Sequence, residues 1–401
     1  MNAQKTVSLR LPGEEFDARG QCLLAHVKKN NWNGIVLFDN YFILYFTGFA
    51  FIPTERPMAF AMNASGERAL FVPRLEVEHA QSAARVERVE SYLEYPGNPH
   101  PMVRFKSVLG AMNIKSKIGA DTDGYPLILG YQGASLSSLT GAAIENVNAF
   151  VNSLMAIKSD AELALIRESC KWGNLAHRLL QKYTRVGANE VEVSKRASIE
   201  ATLTLIDTLG SLYRAQSFFD DGPSAGYRGQ IGRNAAIPHS LTTNATFLAG
   251  DVLVTGAGCP MWGYLSELER TMIVGEASAE QKKFFEHMVN LQNTALENTK
   301  PGKKCSDVDK AVRAYFEKNN LMAYWRHHSG HAIGLRYHEG PFLDSGDDTV
   351  IEPGMVFTVE PGLYAPELGG FRHSDTVVVT QDGIEILTYY PRDLASLTIA
   401  V

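Results

Sequence analysis

Long apolar runs are missing from this chain. None reaches the roughly 18 consecutive apolar residues that a membrane-spanning helix requires. The first ten residues, MNAQKTVSLR, hold no apolar stretch of the kind that directs secretion, so a cytoplasmic protein is expected, with no membrane partner. Cysteine is scarce: Cys22, Cys170, Cys259 and Cys305 stand far apart, without metal-binding or redox spacing. A disulfide framework is thereby excluded, and free thiols in a reducing compartment are expected. Positive charge is also in deficit, with 38 Lys and Arg against 44 Asp and Glu and a net charge of −6, so no nucleic-acid partner is expected. Neither repeats nor low-complexity tracts occur. What remains is an ordinary globular composition, 45% hydrophobic and 20% charged, over 401 residues, a length that fits two or three domains.

The first third alternates helix and strand. Helices are expected at 14–29, 75–84 and 101–112, and strands at 35–38, near Val89 and at 117–120. A hairpin is expected over 58–62 and 68–72 around Asn63-Ala-Ser-Gly66. This α/β domain is placed at 1–157 and a second domain at 158–401. Ser159-Asp-Ala-Glu162 has the pattern of a capping box that opens a helix, and Ser278-Ala-Glu-Gln281 repeats it. A further helix spans 190–209, and another is expected to start at Ser306-Asp-Val-Asp309. Strand-like runs at 251–255, 268–274, 355–359 and 376–380 make the second domain α+β, long helices on a mostly antiparallel sheet.

Polar residues with catalytic potential gather in four stretches of the second domain. They are Asn234-Ala-Ala-Ile-Pro-His239, Ser266-Glu267-Leu-Glu269-Arg270-Thr271, His327 to Glu339, and Val359-Glu360 with the following Arg372-His373-Ser374-Asp375. In an extended strand Glu267 and Glu269 share one face, with Arg270 on the other. Either that strand is a solvated edge with an Arg270 ion pair, or the carboxylates serve a site where a cation or strong hydrogen bonds hold them. Four histidines within twelve residues (His327, His328, His331, His338), among Ser329, Gly330, Ala332 and Gly334, suggest a crowded polar pocket. Arg372 and Asp375 are expected to pair beneath it. Trp262, Tyr264 and Tyr324-Trp325 read as core or pocket wall.

In this order, Ile-Pro-His239, Gly263-Tyr264, Gly330-His331, His338-Glu339-Gly-Pro341, Glu352 to Gly362 and Gly-Phe-Arg372 resemble the pita-bread superfamily of methionine aminopeptidases, Xaa-Pro peptidases and creatinase. The resemblance covers nearly the whole chain. It implies a pita-bread domain of α+β class behind a creatinase-like α/β domain, and a homodimer. Peptidases of this superfamily hold two metal ions on Asp, Asp, His, Glu and Glu; the matching positions here are Gly256, Glu267, His331, Glu360 and Ser374. Bridging carboxylates offset the repulsion between two divalent ions, and this chain keeps too few for a pair. The expectation is therefore no metal cofactor, with a single divalent ion on Glu267, His331 and Glu360 as the alternative. Creatinase, which also lacks the metal ligands, shares Leu268-Glu-Arg-Thr271 and Arg56-Pro57. That branch implies Arg56 as the carboxylate anchor, Glu269 and Glu360 as holders of a cationic group, and His239 as the proton shuttle.

Three glutamates converging without two metals are tolerable if they surround a cation or if one stays protonated. His239, behind a proline, is the natural general acid and base. The resulting expectation is metal-independent, creatinase-like hydrolysis of a C–N bond, amidine, guanidino or amide, in a small zwitterion. The catalytic residues would be His239, Glu269, Glu360, His331 and His338, and the substrate-binding residues Arg56, Glu267 and Arg372. Two alternatives stay open: an Xaa-Pro dipeptidase or aminopeptidase with an altered, mononuclear metal site, acting on a dipeptide, and a non-catalytic peptide- or protein-binding module.

Overall fold

The computed structural model describes residues 9–217 and 220–401, which form two compact units, Leu11–Met155 and Ala156–Val401, the latter joined by Leu9 and Arg10. In the first, a six-stranded mixed sheet runs in the order Arg88–Tyr92, Arg68–Pro73, Ala59–Asn63, Gly34–Leu37, Lys117–Ala120, Ala143–Asn146. The hairpin pairs Ala59 with Phe71 and Met62 with Arg68. Helices Gly13–Lys29, Val77–Ala83 and Pro101–Ala111 lie where the pattern places them. Besides Leu136–Thr140 and Asn148–Ala156, one more helix has no sequence expectation, Asn40–Thr47. Asp39 caps it by accepting from the N–H groups of Tyr41 and Phe42, and Gly48 closes it in the left-handed region. Phe42 to Thr47 are all buried, so the segment carries no amphipathic period to read.

In the second unit the capping boxes of Ser159 with Glu162 and of Ser278 with Gln281 both form, opening helices Asp160–Tyr183 and Ala279–Asn298. Helix Glu190–Leu209 starts from an Asn189 cap. The fourth helix, Cys305–Lys318, corrects the expected start at Ser306: Lys304 precedes its first turn, its N–H donates to the Asp307 carboxylate at 3.1 Å, and Ser306 instead donates to Asp348 at 2.6 Å. These helices cover an eight-stranded antiparallel sheet. Its order is Glu339–Phe342, His331–Ala332, Val356–Val359, Ser374–Val379, Leu268–Glu269, Gly256–Gly258, Ser224–Gly226, with Ile384–Ile386 also pairing to Ser374–Val379. Buried Leu180, Ala201, Met288, Val312, Phe357 and Val377 belong to one apolar core. Burial of this kind contributes about 25 cal/mol per Å² of apolar surface.

The expected strand 268–274 is in fact two. Leu268–Glu269 belongs to the large sheet, whereas Thr271–Val274 pairs with Val252–Val254 and Thr398–Ile399 in a separate three-stranded sheet. The break falls at Arg270. Within the large sheet, register pairs Glu269 with Ser374, Val359 with Asp375, and Ala332 with Phe357. Adjacent strand ends thus bring Glu267, Glu269, His331, Glu360 and Arg372 to one place. Among the described residues, no helix is long and apolar enough to cross a membrane.

Candidate active site

Glu267, His331 and Glu360 each offer a ligand atom within 4.8 Å of the others. His331 follows Gly330, whose φ is +153°. A Cβ at Gly330 would lie 2.1 Å from the Thr358 carbonyl oxygen, so only glycine lets the chain approach this closely. The His331 ring is buried, and Nδ1 lies 3.0 Å from the Ala332 carbonyl oxygen. A carbonyl only accepts, so Nδ1 keeps its proton, and Nε2 is the nitrogen that takes up or releases the second one. Nε2 lies 3.0 Å from Glu360 Oε1, an ion pair when the ring is protonated, and meets no other polar partner among the described residues.

The electrostatics of this cluster follow from crowding. Burial raises the Glu267 carboxyl, and the neighbouring Glu360 and Glu269 raise it further, to about 8. Its Oε1 accepts from Ser374 Oγ at 2.8 Å. Burial opposes charge on His331, yet Glu360 and then Glu267 outweigh it and lift the imidazole to about 9. Burial would raise Glu360 as well; instead His331, with Arg372 Nε at 3.7 Å, holds it well below the usual carboxylate range. One histidine and two carboxylates, whose ligand atoms converge and whose protons a metal can displace, are a fitting donor set for one divalent ion.

Glu269 is engaged differently. Arg372 grips it through Nε to Oε2 and through Nη2 to Oε1, the latter at 2.8 Å. Arg228 Nη2 reaches the same Oε1, also at 2.8 Å. Its carboxylate is 3% exposed, and two arginines compensate for the burial. Arg372 Nη1 donates to the Tyr364 hydroxyl at 2.9 Å, and that oxygen lies 2.7 Å from His327 Nε2. Two expectations are corrected here. The Glu269 carboxylate already pairs with two arginines. The partner of Arg372 is Glu269, not Asp375, whose own pair is the fully buried Arg270 at 2.7 Å. The solvated-edge reading of Arg270 fails with it. Arg372, expected to bind substrate, is buried, and its three guanidinium nitrogens all have partners in Glu269 and Tyr364.

His338 stacks on His331 with ring centroids 4.0 Å apart at 23°, and His239 stands 6.4 Å from His338. His338 is exposed, but packing against its neighbours desolvates the ring, and the His331 charge adds to this, lowering it to about 4. His239 is exposed as well. A cavity of about 440 Å³ opens here, lined among others by Arg228, Gly256, Glu267, Glu269, Tyr337 and His338. A Cβ at Gly256 would point to within 3.6 Å of Glu269 Oε1, so Glu269 and its arginines stand where a side chain at 256 would project.

Arg56, the expected carboxylate anchor, lies in the first unit. Its Nε donates to Glu94 and its Nη1 to Glu55, each at 2.7 Å. Two carboxylates already claim this cation. Tyr264 is core, its hydroxyl donating to Glu162 at 2.6 Å, and Trp325 packs under the Arg313 guanidinium at 4.4 Å. Arg228 and Tyr337 have no assignment from sequence. Arg228 lies within the glycine-rich stretch Gly226, Gly229, Gly232, and that spacing is the one signal that marks its loop.

Comparison with known proteins agrees with this arrangement. The description Metallopeptidase family M24 matches residues 164–381, and Creatinase/Prolidase N-terminal domain matches residues 19–153. A putative dipeptidase, YkvY of Bacillus subtilis (strain 168), is 30% identical over 357 residues, 88% of this chain and 93% of that protein. Among solved structures, dipeptidase PepE from Mycobacterium ulcerans superposes with a TM-score of 0.81 at 24% identity, over 98% of this chain and 100% of that one. An Xaa-Pro dipeptidase from Bacillus anthracis superposes with a TM-score of 0.79 at 23% identity, over 96% and 100%. These likenesses establish the pita-bread fold behind a creatinase-like domain.

Proposed function

We propose, since the chain belongs to metallopeptidase family M24 and is a hydrolase of C–N bonds, that it cleaves the peptide bond of Xaa-Pro dipeptides with one divalent ion held by Glu267, His331 and Glu360. The observation that carries this reading is the convergence of His331 Nε2 with the carboxylates of Glu267 and Glu360, ligand atoms within 4.8 Å of one another, while the other ring nitrogen is committed to a backbone carbonyl. Such a constellation is costly unless something electropositive occupies it. Gly256 and Ser374 supply no carboxylate, which limits the site to one ion.

When bound, the ion supplies Lewis acidity toward the scissile carbonyl. The remaining work falls to side chains. His338, kept neutral by its surroundings, has a nitrogen able to accept a proton. His239, exposed and 6.4 Å away, can return one to the departing imino nitrogen. Arg372 and Arg228 hold Glu269 in place, so it fixes the wall of the cavity. The metal-independent, guanidinium-binding reading requires Glu269 to be free, and its pairing with two arginines weighs against that.

The test is removal of metal. Protein dialysed against a strong chelator and then refilled with zinc, manganese or cobalt is assayed on Gly-Pro and Ala-Pro, with creatine alongside. Loss of dipeptide cleavage on chelation, its return with metal, and about one ion per chain by elemental analysis are expected. Undiminished turnover in chelated protein, or cleavage of creatine, would refute the proposal and restore the metal-free mechanism. A cytoplasmic homodimer, with the domain boundary at 157/158, belongs to the same reading; light scattering on the purified protein checks the dimer.

A further inference from the structure

The charges around Glu269 are unequal: two guanidinium groups share one carboxylate. Arg372 is buried and spends its nitrogens on Glu269 and Tyr364. Arg228 is placed otherwise. Half of its side chain (50%) is exposed, and only Nη2 is used, by Glu269 at 2.8 Å and by Gln230 at 3.3 Å. Among the described residues, its Nε and Nη1 donate to no protein group. The side chain lines the cavity together with Glu267 and His338.

The backbone reinforces this placement. Arg228 has φ +51°, in the left-handed region, and Gly229 follows at +72°. A non-glycine residue is strained there, so the surroundings must hold it. They do. Gly229 N–H donates to buried Glu190 at 3.0 Å, Gln230 N–H to the Tyr227 carbonyl at 2.9 Å, and Val254 N–H to the Gln230 carbonyl at 3.0 Å. A Cβ at Gly229 would lie 2.0 Å from the Leu241 carbonyl oxygen. Glu190 also accepts from Thr243 N–H at 2.6 Å, just beyond His239. One buried carboxylate therefore anchors both the loop that carries Arg228 and the segment that carries His239.

We propose that Arg228 recognises the free carboxylate of the substrate and thereby restricts the site to peptides that end one residue after the scissile bond. The inference rests on the peptidase reading above and extends it to a specificity residue. A guanidinium whose protein partner is already neutralised by a second arginine keeps its attraction for an anion, and carboxylate is the group its donor geometry matches best. Arg56 cannot do this while it is paired with Glu94 and Glu55.

The test uses a non-hydrolysable Gly-Pro analogue, its peptide carbonyl reduced to CH₂, with the C-terminus either free or amidated. Binding of both forms to the metal-loaded full-length protein is measured by calorimetry for wild type, Arg228→Gln and Arg228→Lys. Turnover of Gly-Pro and Gly-Pro-amide is measured in parallel. Wild type should bind the free acid at least about tenfold more tightly than the amide, Arg228→Gln should reduce this preference to about twofold or less, and Arg228→Lys should fall between. The loss should appear in KM for Gly-Pro, with KM for the amide little changed. A wild type that binds the two forms equally, or binds neither, overturns the proposal, as does an Arg228→Gln protein that keeps the preference. Acid preference without any turnover would sustain the role of Arg228 while refuting the peptidase reading. Turnover without acid preference would do the reverse.

Discussion

Binding of the ion should release protons, and the count follows from the site. In the metal-free protein Glu267 is raised to about 8 and His331 to about 9, so both carry their proton at pH 7, whereas Glu360 has lost its own. A metal needs all three as free bases. The sign is set by the raised values: protons compete with the ion below them, and competition fades as pH climbs past each in turn. Glu360, being depressed, competes only in strong acid. Between pH 6 and 7 each ion should displace about two protons, and affinity should rise about a hundredfold per pH unit. The dependence should relax to about tenfold between pH 8 and 9 and vanish above that range. Calorimetric titration of the chelated protein with zinc at each pH, in two buffers of different ionisation enthalpy, yields both affinity and proton count. Affinity independent of pH below 8, or release of clearly less than one proton, would refute this account of the cluster, because at least one of the two bases would then have stood open beforehand.

Two further outcomes are expected. His239→Gln should lower kcat on Gly-Pro by a factor of about 10² to 10⁴ while leaving zinc affinity and the thermal transition unchanged, because the ring is exposed; a matching loss of metal would place it among the ligands instead. Glu339→Gln should cost about 3–5 kcal/mol in urea unfolding, since Lys158 Nζ, 1% exposed and 3.2 Å from Glu339, would be left as a buried cation without its counter-ion; a cost below about 1 kcal/mol would mean that water reaches the pair.

Much of the architecture was legible because it is written in local chemistry. Ser159 with Glu162, and Ser278 with Gln281, announce helices three residues ahead, and both capping boxes form. Asn40–Thr47 was not legible, because burial of almost its whole surface erases the period that would reveal it. Arg270 hides a strand break inside what reads as one strand from Leu268 to Val274, since the break is made by pairing partners distant in the chain. The cluster of Glu267, His331 and Glu360 came from resemblance and from the density of histidines. Its charge balance did not, since that depends on Arg228, 41 residues from Glu269, and on Arg372, 103 residues from it. Acids close in sequence could be counted; the cations that fold onto them could not. For this reason a pocket read as hungry for a cation is one whose glutamates are largely provided for, with the opening left between Glu267, His331 and Glu360.

Arg270 shows how far the pocket's foundations extend. Its guanidinium is wholly enclosed and bonds, besides Asp375, to the backbone oxygens of Glu269, Ser374, Tyr390 and Pro391. The residues around 390, remote from every motif, are thus the floor on which the strand bearing Glu269 rests. Were that stretch cut away or loosened, a cation sealed inside the protein would lose part of its coordination directly under the cavity wall. Damage to an apparently idle tail would then register first as a failure to bind substrate.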